Sequence, residues 1–208
     1  MYQATATLNQ LPGGGGWVKA DAMRFFRRPP VPGPAPHRVP RPWDPPETEF
    51  PAIVPISTLQ FGRSEQAAIA ITGIWAYTQG FEIFVTRLIG PGASGFDAEV
   101  PDMPRGMRLA HEPVQISLRL SDGSKVISGR PRGDSEPTGP ILRPRGGGGT
   151  SHYQLSRWWA WPLPPSGLLE FICEWPALGI AETRAGIDAQ LILGAARRSV
   201  QLWPAEGV

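Results

Sequence analysis

Apolar and polar residues alternate with a period of two through much of the chain after residue 48. In segments 114–120 and 169–175, every second residue is apolar and most residues between them are polar. Successive side chains of a strand point to opposite faces of a sheet, so this pattern predicts strands with one buried face. A helical period of 3.6 residues is not sustained over a comparable stretch, and we therefore predict an all-β chain.

Short turns join the alternating segments into hairpins. The first hairpin turns at residues 78–80, after a strand 67–77 that is predicted to carry Trp75 on the same face as Ile71. A second hairpin turns at residues 121–124, where an Asp-Gly pair supplies typical hairpin chemistry. Consecutive antiparallel strands are thus expected to be neighbours.

Further strands are predicted at 53–61, 81–89, 125–128, 181–196 and 199–203. Pro55 makes the first of these an edge strand, because proline lacks the N–H that a central strand donates. Segment 181–196 is rich in alanine and leucine and could form a helix, but its alternation and Gly186 favour a strand. About 8–10 strands at this spacing are typical of an antiparallel β-sandwich, which we predict for residues 48–208.

Residues 1–47 are predicted to be a disordered leader rich in proline and glycine. Residues 13–16 are four consecutive glycines, and nine of the eighteen residues from 29 to 46 are prolines. Proline fixes φ and lacks a backbone donor, so neither a helix nor a sheet can run through such a stretch. We expect an extended polyproline-II spacer there. Met23, inside this leader, is a second candidate for the start of translation.

Two long segments, 90–112 and 129–150, are predicted to be connections between strands. The second contains a run of four glycines at 146–149. This run lacks the Gly-Lys-Ser/Thr ending and the strand-to-helix context of a phosphate-binding loop. We interpret it as a slack connector, in line with the usual role of long segments without their own periodicity.

The charge distribution argues against a nucleic-acid partner. Residues 1–47 hold six basic and three acidic residues, whereas residues 48–208 hold fourteen basic and fifteen acidic ones. The predicted sandwich therefore has no basic excess of the kind that nucleic-acid binding requires. No apolar run approaches the ~20 residues of a membrane span, so we expect a cytoplasmic protein without a membrane partner.

Patterns typical of catalytic and metal sites are sparse. The single cysteine, Cys173, excludes an internal disulfide and a cysteine-built zinc site. The chain has three histidines without metal-ligand spacing: His37, His111 and His152. Glu170 and Glu174 could act as a carboxylate pair on one strand face, but that face is typical of a solvated sheet surface. We predict no catalytic residue, no metal and no cofactor.

Tryptophans are the densest feature of the predicted sandwich. Within one strand, alternation places Trp159 and Trp161 on one face and Trp158 on the other. With the first face in the core, Trp158 stands at the surface beside Arg157 and near His152, and these three are the candidate binding residues. An exposed Trp beside Arg suits a protein partner or a sugar ring. The alternative is that the core takes two tryptophans and a loop or the leader covers the third.

The residues around these tryptophans also carry a family resemblance. The run Ser156-Arg157-Trp158-Trp159-Ala160-Trp161-Pro162 continues to Pro165 and is followed by Leu169-Glu170-Phe171 and Cys173-Glu174-Trp175-Pro176. With Gly62-Arg63-Ser64-Glu65 and the proline leader from Met23, the chain resembles a family of small uncharacterised actinobacterial proteins. The resemblance extends from Met23 to Trp203 and implies neither an activity nor a catalytic residue.

These features favour a non-enzymatic binding or protein-interaction domain. The alternative is a carbohydrate-binding module that uses exposed tryptophans, and a second alternative is a hydrolase whose site is not readable from sequence. A carbohydrate module should expose two or three coplanar rings on one face, and a protein-binding module should expose an apolar patch of mixed shape. An enzyme should have a pocket where His111 or His152 meets a carboxylate.

Overall fold

Two antiparallel sheets pack face to face in the computed structural model, which describes residues 41–91, 114–129, 136–150 and 152–203. Apolar side chains from both sheets form one continuous buried core. Each sheet therefore has an inner face toward the other sheet and an outer face away from it. The predicted all-β sandwich is confirmed.

The strands of these residues, in chain order, are β1 Glu49–Phe50, β2 Ala52–Ile53, β3 Leu59–Arg63, β4 Ala67–Ala76, β5 Phe81–Ile89, β6 Gln115–Arg119, β7 Lys125–Ile127, β8 Ile141–Gly149, β9 Tyr153–Trp161, β10 Leu168–Trp175, β11 Ile180–Asp188 and β12 Val200–Gln201. The large sheet has the order β2-β4-β5-β9-β8, with β3 also paired to β4. The small sheet has the order β11-β10-β6-β7, and β1 pairs with β12. A 3-10 turn, Pro176–Leu178, and helix α1, Gln190–Ala196, complete the described elements.

The small sheet follows the predicted alternation. In β10, Leu169, Phe171, Cys173 and Trp175 are each at most 1% exposed. The predicted hairpin between β6 and β7 closes through a hydrogen bond from the Leu120 N–H to the Ser124 carbonyl at 2.9 Å. The alternation holds because β10 and β6 pair in one continuous register, and the register shift between β10 and β11 after Cys173 places its extra residue in β11.

A β-bulge in β4 reverses the predicted faces of its second half. The register against β5 shifts between Ile71 and Gly73, which leaves Thr72 as an extra residue. Ile74 then points into the core and is fully buried, while Trp75 turns outward and is 37% exposed. The prediction that Trp75 shares a face with Ile71 is wrong, because one inserted residue inverts every later position of a strand.

The last part of the predicted strand 181–196 is a helix instead. Strand β11 ends at Asp188, whose Oδ1 accepts a hydrogen bond from the Gln190 N–H at 2.8 Å. The helix that follows buries three side chains at helical spacing: Ile192, Ala195 and Ala196. The good helix formers of this segment override its apparent alternation. With seven residues in α1, no helix of the described chain is long and apolar enough to cross a membrane.

The two predicted edge elements also differ from expectation. Pro55 divides the predicted strand 53–61 into β2 and β3, since a proline interrupts the backbone ladder. The predicted final hairpin at 199–203 is wrong, because β12 pairs with β1, with Phe50 opposite Val200.

The four glycines 146–149 belong to strand β8, so the prediction of a slack connector is wrong from Ile141 onward. They pair with β9, with Gly147 opposite Ser156. The two backbones approach closely here, since a Cβ added at Gly147 would lie 2.9 Å from the Ser156 Cα. Glycine carries no side-chain periodicity, and the alternation that marks other strands is therefore missing.

Residues 41–47, the end of the predicted leader, contact the outer side of the large sheet. Asp44 forms an ion pair with Arg143 of β8. Residues 1–40 and most of the predicted connection 90–112 lie outside the described residues, so disorder of the leader stays a prediction.

Candidate functional site

Strand β9 positions the three candidate binding residues, and the structure separates them. Trp158 lies opposite the fully buried Ile83 and packs against the core from the inner face. Its neighbour Arg157 points to the outer face, where its side chain is 43% exposed. His152 precedes the strand and is exposed, with its Nδ1 3.2 Å from the Ile89 carbonyl oxygen. The three side chains therefore do not form a single patch.

Trp159 lies on the outer face and is nevertheless fully buried. Its Nε1–H donates a hydrogen bond to the Trp43 carbonyl at 3.0 Å, and its ring meets the edge of Tyr77 at 5.5 Å between centroids. The predicted faces of Trp158 and Trp159 are thus reversed. The reason is that residues 41–44 cover the outer face at this point, so burial of a tryptophan does not mark the core.

The outer face of β4, β5 and β9 is mostly apolar beyond the covered tryptophan, apart from Arg157 and the hydrogen-bonded pair Thr72 and Thr86. We call the following side chains the open face: Ala68, Ala70, Trp75, Phe84, Thr86, Leu88, Tyr153, Leu155 and Arg157. Leu88 is 51% exposed and Tyr153 is 45% exposed. A sandwich sheet ordinarily presents polar residues on the face away from its core. A large exposed apolar surface of this kind is characteristic of an interaction site.

The exposed rings of the open face do not form one flat platform. The Trp75 and Phe84 rings touch, with centroids 4.5 Å apart, but their planes are tilted by 58°. Trp75 lies opposite Glu82 and Tyr153 lies opposite Leu88. The two rows lie six residues apart along β5, which is about 20 Å along a strand.

A buried carboxylate lies beneath one end of the open face. Glu82 sits between Trp75 and Trp159 in the register of the sheet and is 2% exposed. Within the described residues its Oε1 has no hydrogen-bond partner, and the nearest basic atom is Nε of Arg157 at 3.9 Å. Burial, together with the charge of Glu82, raises the pKa of Tyr77. Arg157 is the basic side chain of the open face that lies nearest to this buried carboxylate.

Sequence reasoning missed Glu82 because β5 is apolar on both faces. A single carboxylate within such a strand is nevertheless a signal, since a buried charge is costly unless it is paired. Trp75 was missed as well, because the bulge that exposes it has no sequence marker apart from Thr72 and Gly73.

A cavity of about 440 Å³ lies on the other side of the large sheet, at the edge of the small sheet beside the start of β6. The residues that decide its chemistry are Ile116, Pro144, Trp158, Ile172, Glu174 and Glu182. We call this the β6 cavity. Among its described lining residues there is no lysine, arginine or histidine. The cavity therefore combines apolar walls with negative charge.

Cys173 contributes to the wall of the β6 cavity but is only 1% exposed, and burial raises its pKa to about 12. At pH 8 we expect native protein to react with a maleimide at least about 100 times more slowly than protein unfolded in denaturant, because the thiolate is the nucleophile. Timed quenching followed by mass spectrometry measures both rates. Equal rates would mean that the β10 side chain faces solvent.

The described residues contain no group of three His, Cys, Asp or Glu side chains that could hold a metal ion. His152 meets a backbone carbonyl, and His111 lies outside the described residues.

Comparisons with known proteins return no match. No model of a known protein family matches the chain, and neither the curated proteins nor the solved structures contain a significant match. The likeness to small actinobacterial proteins stays a prediction.

Proposed function

We propose that this chain is a non-enzymatic protein-interaction domain that binds its partner through the open face. The observation that carries the proposal is the mostly apolar outer surface of three central strands, where a free-standing sandwich would carry mainly polar residues. Three strands about 4.8 Å apart, over some six residues, span a few hundred Å², which is comparable with the largest apolar patch on a typical monomer, and such patches are often functional.

The composition of the open face also supports a protein partner. Trp, Tyr and Arg are the residue types that most often dominate binding energy in protein interfaces. The open face presents one of each: Trp75, Tyr153 and Arg157. Small side chains at Ala68 and Ala70 leave room between them for side chains of a partner.

The spacing of the rings favours a protein over a carbohydrate. A sugar chain stacks on rings that share a plane, whereas Trp75 and Phe84 are tilted against each other. Tyr153 lies about 20 Å further along the sheet, too far to extend the same platform. An apolar surface of mixed shape remains, and this suits a folded partner.

Arg157 defines the charge that the partner should carry. Its Nε faces Glu82, and its two terminal nitrogens have no partner among the described residues. A guanidinium in this position can bind a carboxylate through two parallel hydrogen bonds. The proposed partner is therefore a protein with an apolar surface and an Asp or Glu at its centre.

Site-specific photo-crosslinking in cells that express the chain tests this proposal. A photoreactive amino acid at Leu88 or Tyr153 should yield one adduct of defined mass, and the same amino acid at Leu168 should yield none. Leu168 is the matched control because it is 56% exposed but belongs to the small sheet.

Two variants connect the adduct to the open face. Arg157→Glu and Trp75→Ala should each reduce the adduct at least about tenfold, as expected for central interface residues. Trp203→Ala should leave it unchanged, since Trp203 is equally a surface tryptophan, 61% exposed, outside the open face. Absence of an adduct, or equal adducts from Leu168, would refute the proposal. Binding to a glycan array that depends on Trp75 would favour the carbohydrate alternative.

A further inference from the structure

The β6 cavity is independent of the open face, because the two lie on opposite sides of the large sheet. Trp158 lines the cavity from the inner face, whereas its neighbour Arg157 belongs to the open face. A volume of about 440 Å³ is within the range of small-molecule sites, about 300–1,000 Å³. Such sites combine apolar walls with a few polar groups that orient the ligand.

The charged side chains of the β6 cavity, Glu174 and Glu182, indicate which charge a ligand should carry. Glu174 is half-buried and has no hydrogen bond or ion pair within the described chain. Glu182 uses its Oε1 to bind Arg184 at 2.6 Å, and this pairing lowers the pKa of Glu182 and keeps it ionised. Glu174 is therefore the carboxylate that still lacks a counter-charge.

The walls of the cavity point to the rest of the ligand. Pro144 and Ile172 supply aliphatic surface beside the almost fully buried Ile116, and Trp158 supplies the indole ring. The Trp158 Nε1–H donates to Ser156 Oγ at 3.2 Å, which fixes the indole within the sheet. A tryptophan ring attracts a cation as well as apolar carbon.

We propose that the β6 cavity binds a small organic cation whose ammonium group pairs with Glu174 and whose apolar body packs against Trp158. Glu182 adds to the negative field and is the weaker of the two carboxylates, because Arg184 already neutralises it. Exposed Ile127 continues the apolar wall to the rim of the cavity. An alkyl or aryl ammonium compound thus matches the site in size, charge and apolar surface.

Three probes that share a phenylethyl group test the charge preference: 2-phenylethylammonium, 2-phenylethanol and 3-phenylpropanoate. Titration of the ¹⁵N-labelled full chain, followed by amide and indole N–H resonances, gives the dissociation constant of each. The Trp158 indole signal is assigned by its loss in Trp158→Phe. We expect the ammonium compound to shift this signal with millimolar or better affinity, and the alcohol to bind at least about tenfold more weakly.

Matched carboxylate variants locate the charge. Glu174→Gln should weaken binding of the ammonium compound at least about fivefold, and Glu182→Gln should weaken it less. Glu170→Gln should leave it unchanged, because Glu170 lies on the same side of β10 but pairs with Arg119 outside the cavity. A dispersed amide spectrum confirms that each variant is folded.

Three outcomes would overturn the proposal. The alcohol or the carboxylate could bind as tightly as the ammonium compound, which would leave an apolar pocket without a charge preference. Glu170→Gln could weaken binding as much as Glu174→Gln, which would indicate a general field. Finally, none of the probes could shift the Trp158 signal. The crosslinking result at the open face is unaffected by any of these, so the two proposals stand or fall separately.

Discussion

Replacing Trp159 by alanine should lower the free energy of unfolding by about 3–5 kcal/mol, the usual cost of truncating a buried tryptophan. For a chain of this size that corresponds to a fall in melting temperature of about 6–20 °C. The loss has identifiable parts, since the variant removes the hydrogen bond to the Trp43 carbonyl and the edge contact with Tyr77. Thermal melts followed by circular dichroism measure the change.

Trp158→Ala is the control for this prediction. Trp158 is partly exposed at the wall of the β6 cavity, so its truncation should cost clearly less than that of Trp159. If Trp158→Ala is the more damaging variant, then Trp159 is not the buried ring that residues 41–44 cover. Strand alternation, which assigns Trp159 to the core face, predicts the same order of damage, so the melts test the burial of Trp159 and not the face on which it lies.

The side-chain pattern alone predicts strands β5 and β10. Strand β5 has the bounds that were predicted for it, and β10 buries the four side chains that alternation selects. Strand β10 buries one face, and β5 is largely buried on both faces, so each strand has a simple side-chain pattern. A period of two then identifies the strand and its inner face directly.

The wrong predictions for β4 and α1 have physical causes that a short stretch of sequence does not contain. The bulge at Thr72 inverts the faces of β4, and it depends on pairing with β5 rather than on β4 alone. Helix α1 forms because a strand ends at Asp188, where the chain turns back onto the sheet. In each case a neighbouring element decides between two conformations that the local residues both permit.

The candidate site was partly accessible from sequence. The sequence pattern identified Trp158 and Arg157 as candidate binding residues. Alternation, however, placed Trp158 at the surface with Arg157 beside it. The structure places them on opposite faces, with one at a cavity and the other at the open face. Trp75 and Glu82 could not be predicted from sequence. The exposure of Trp75 depends on the bulge in β4, and Glu82 lies opposite Trp159, which residues 41–44 cover.

The second large effect on stability is expected in the four-glycine run of β8. Gly147→Ala should destabilise the chain by about 1–3 kcal/mol or more, because added atoms in a close-packed contact force the backbones apart. The new Cβ would overlap the Leu155 carbonyl oxygen and lie 2.9 Å from the Ser156 Cα, and neither backbone atom can rotate away. Urea unfolding measures the free energy, and amide hydrogen exchange at Leu155 and Ser156 reports whether β8 has left β9.

Gly148→Ala, one residue further along, isolates this contact from the general effect of replacing a glycine. A Cβ at Gly148 meets no atom within 4 Å, and the residue has no positive φ. Alanine there should be neutral or should stabilise the strand by about 0.5–1 kcal/mol, since it has less conformational freedom to lose on folding. A lower free energy of unfolding for Gly147→Ala, together with an unchanged or higher one for Gly148→Ala, is expected only if the run is a strand paired in the observed register. If both variants behave alike, then residues 146–149 form the slack connector that their composition suggests, and the edge of the large sheet lies at β9.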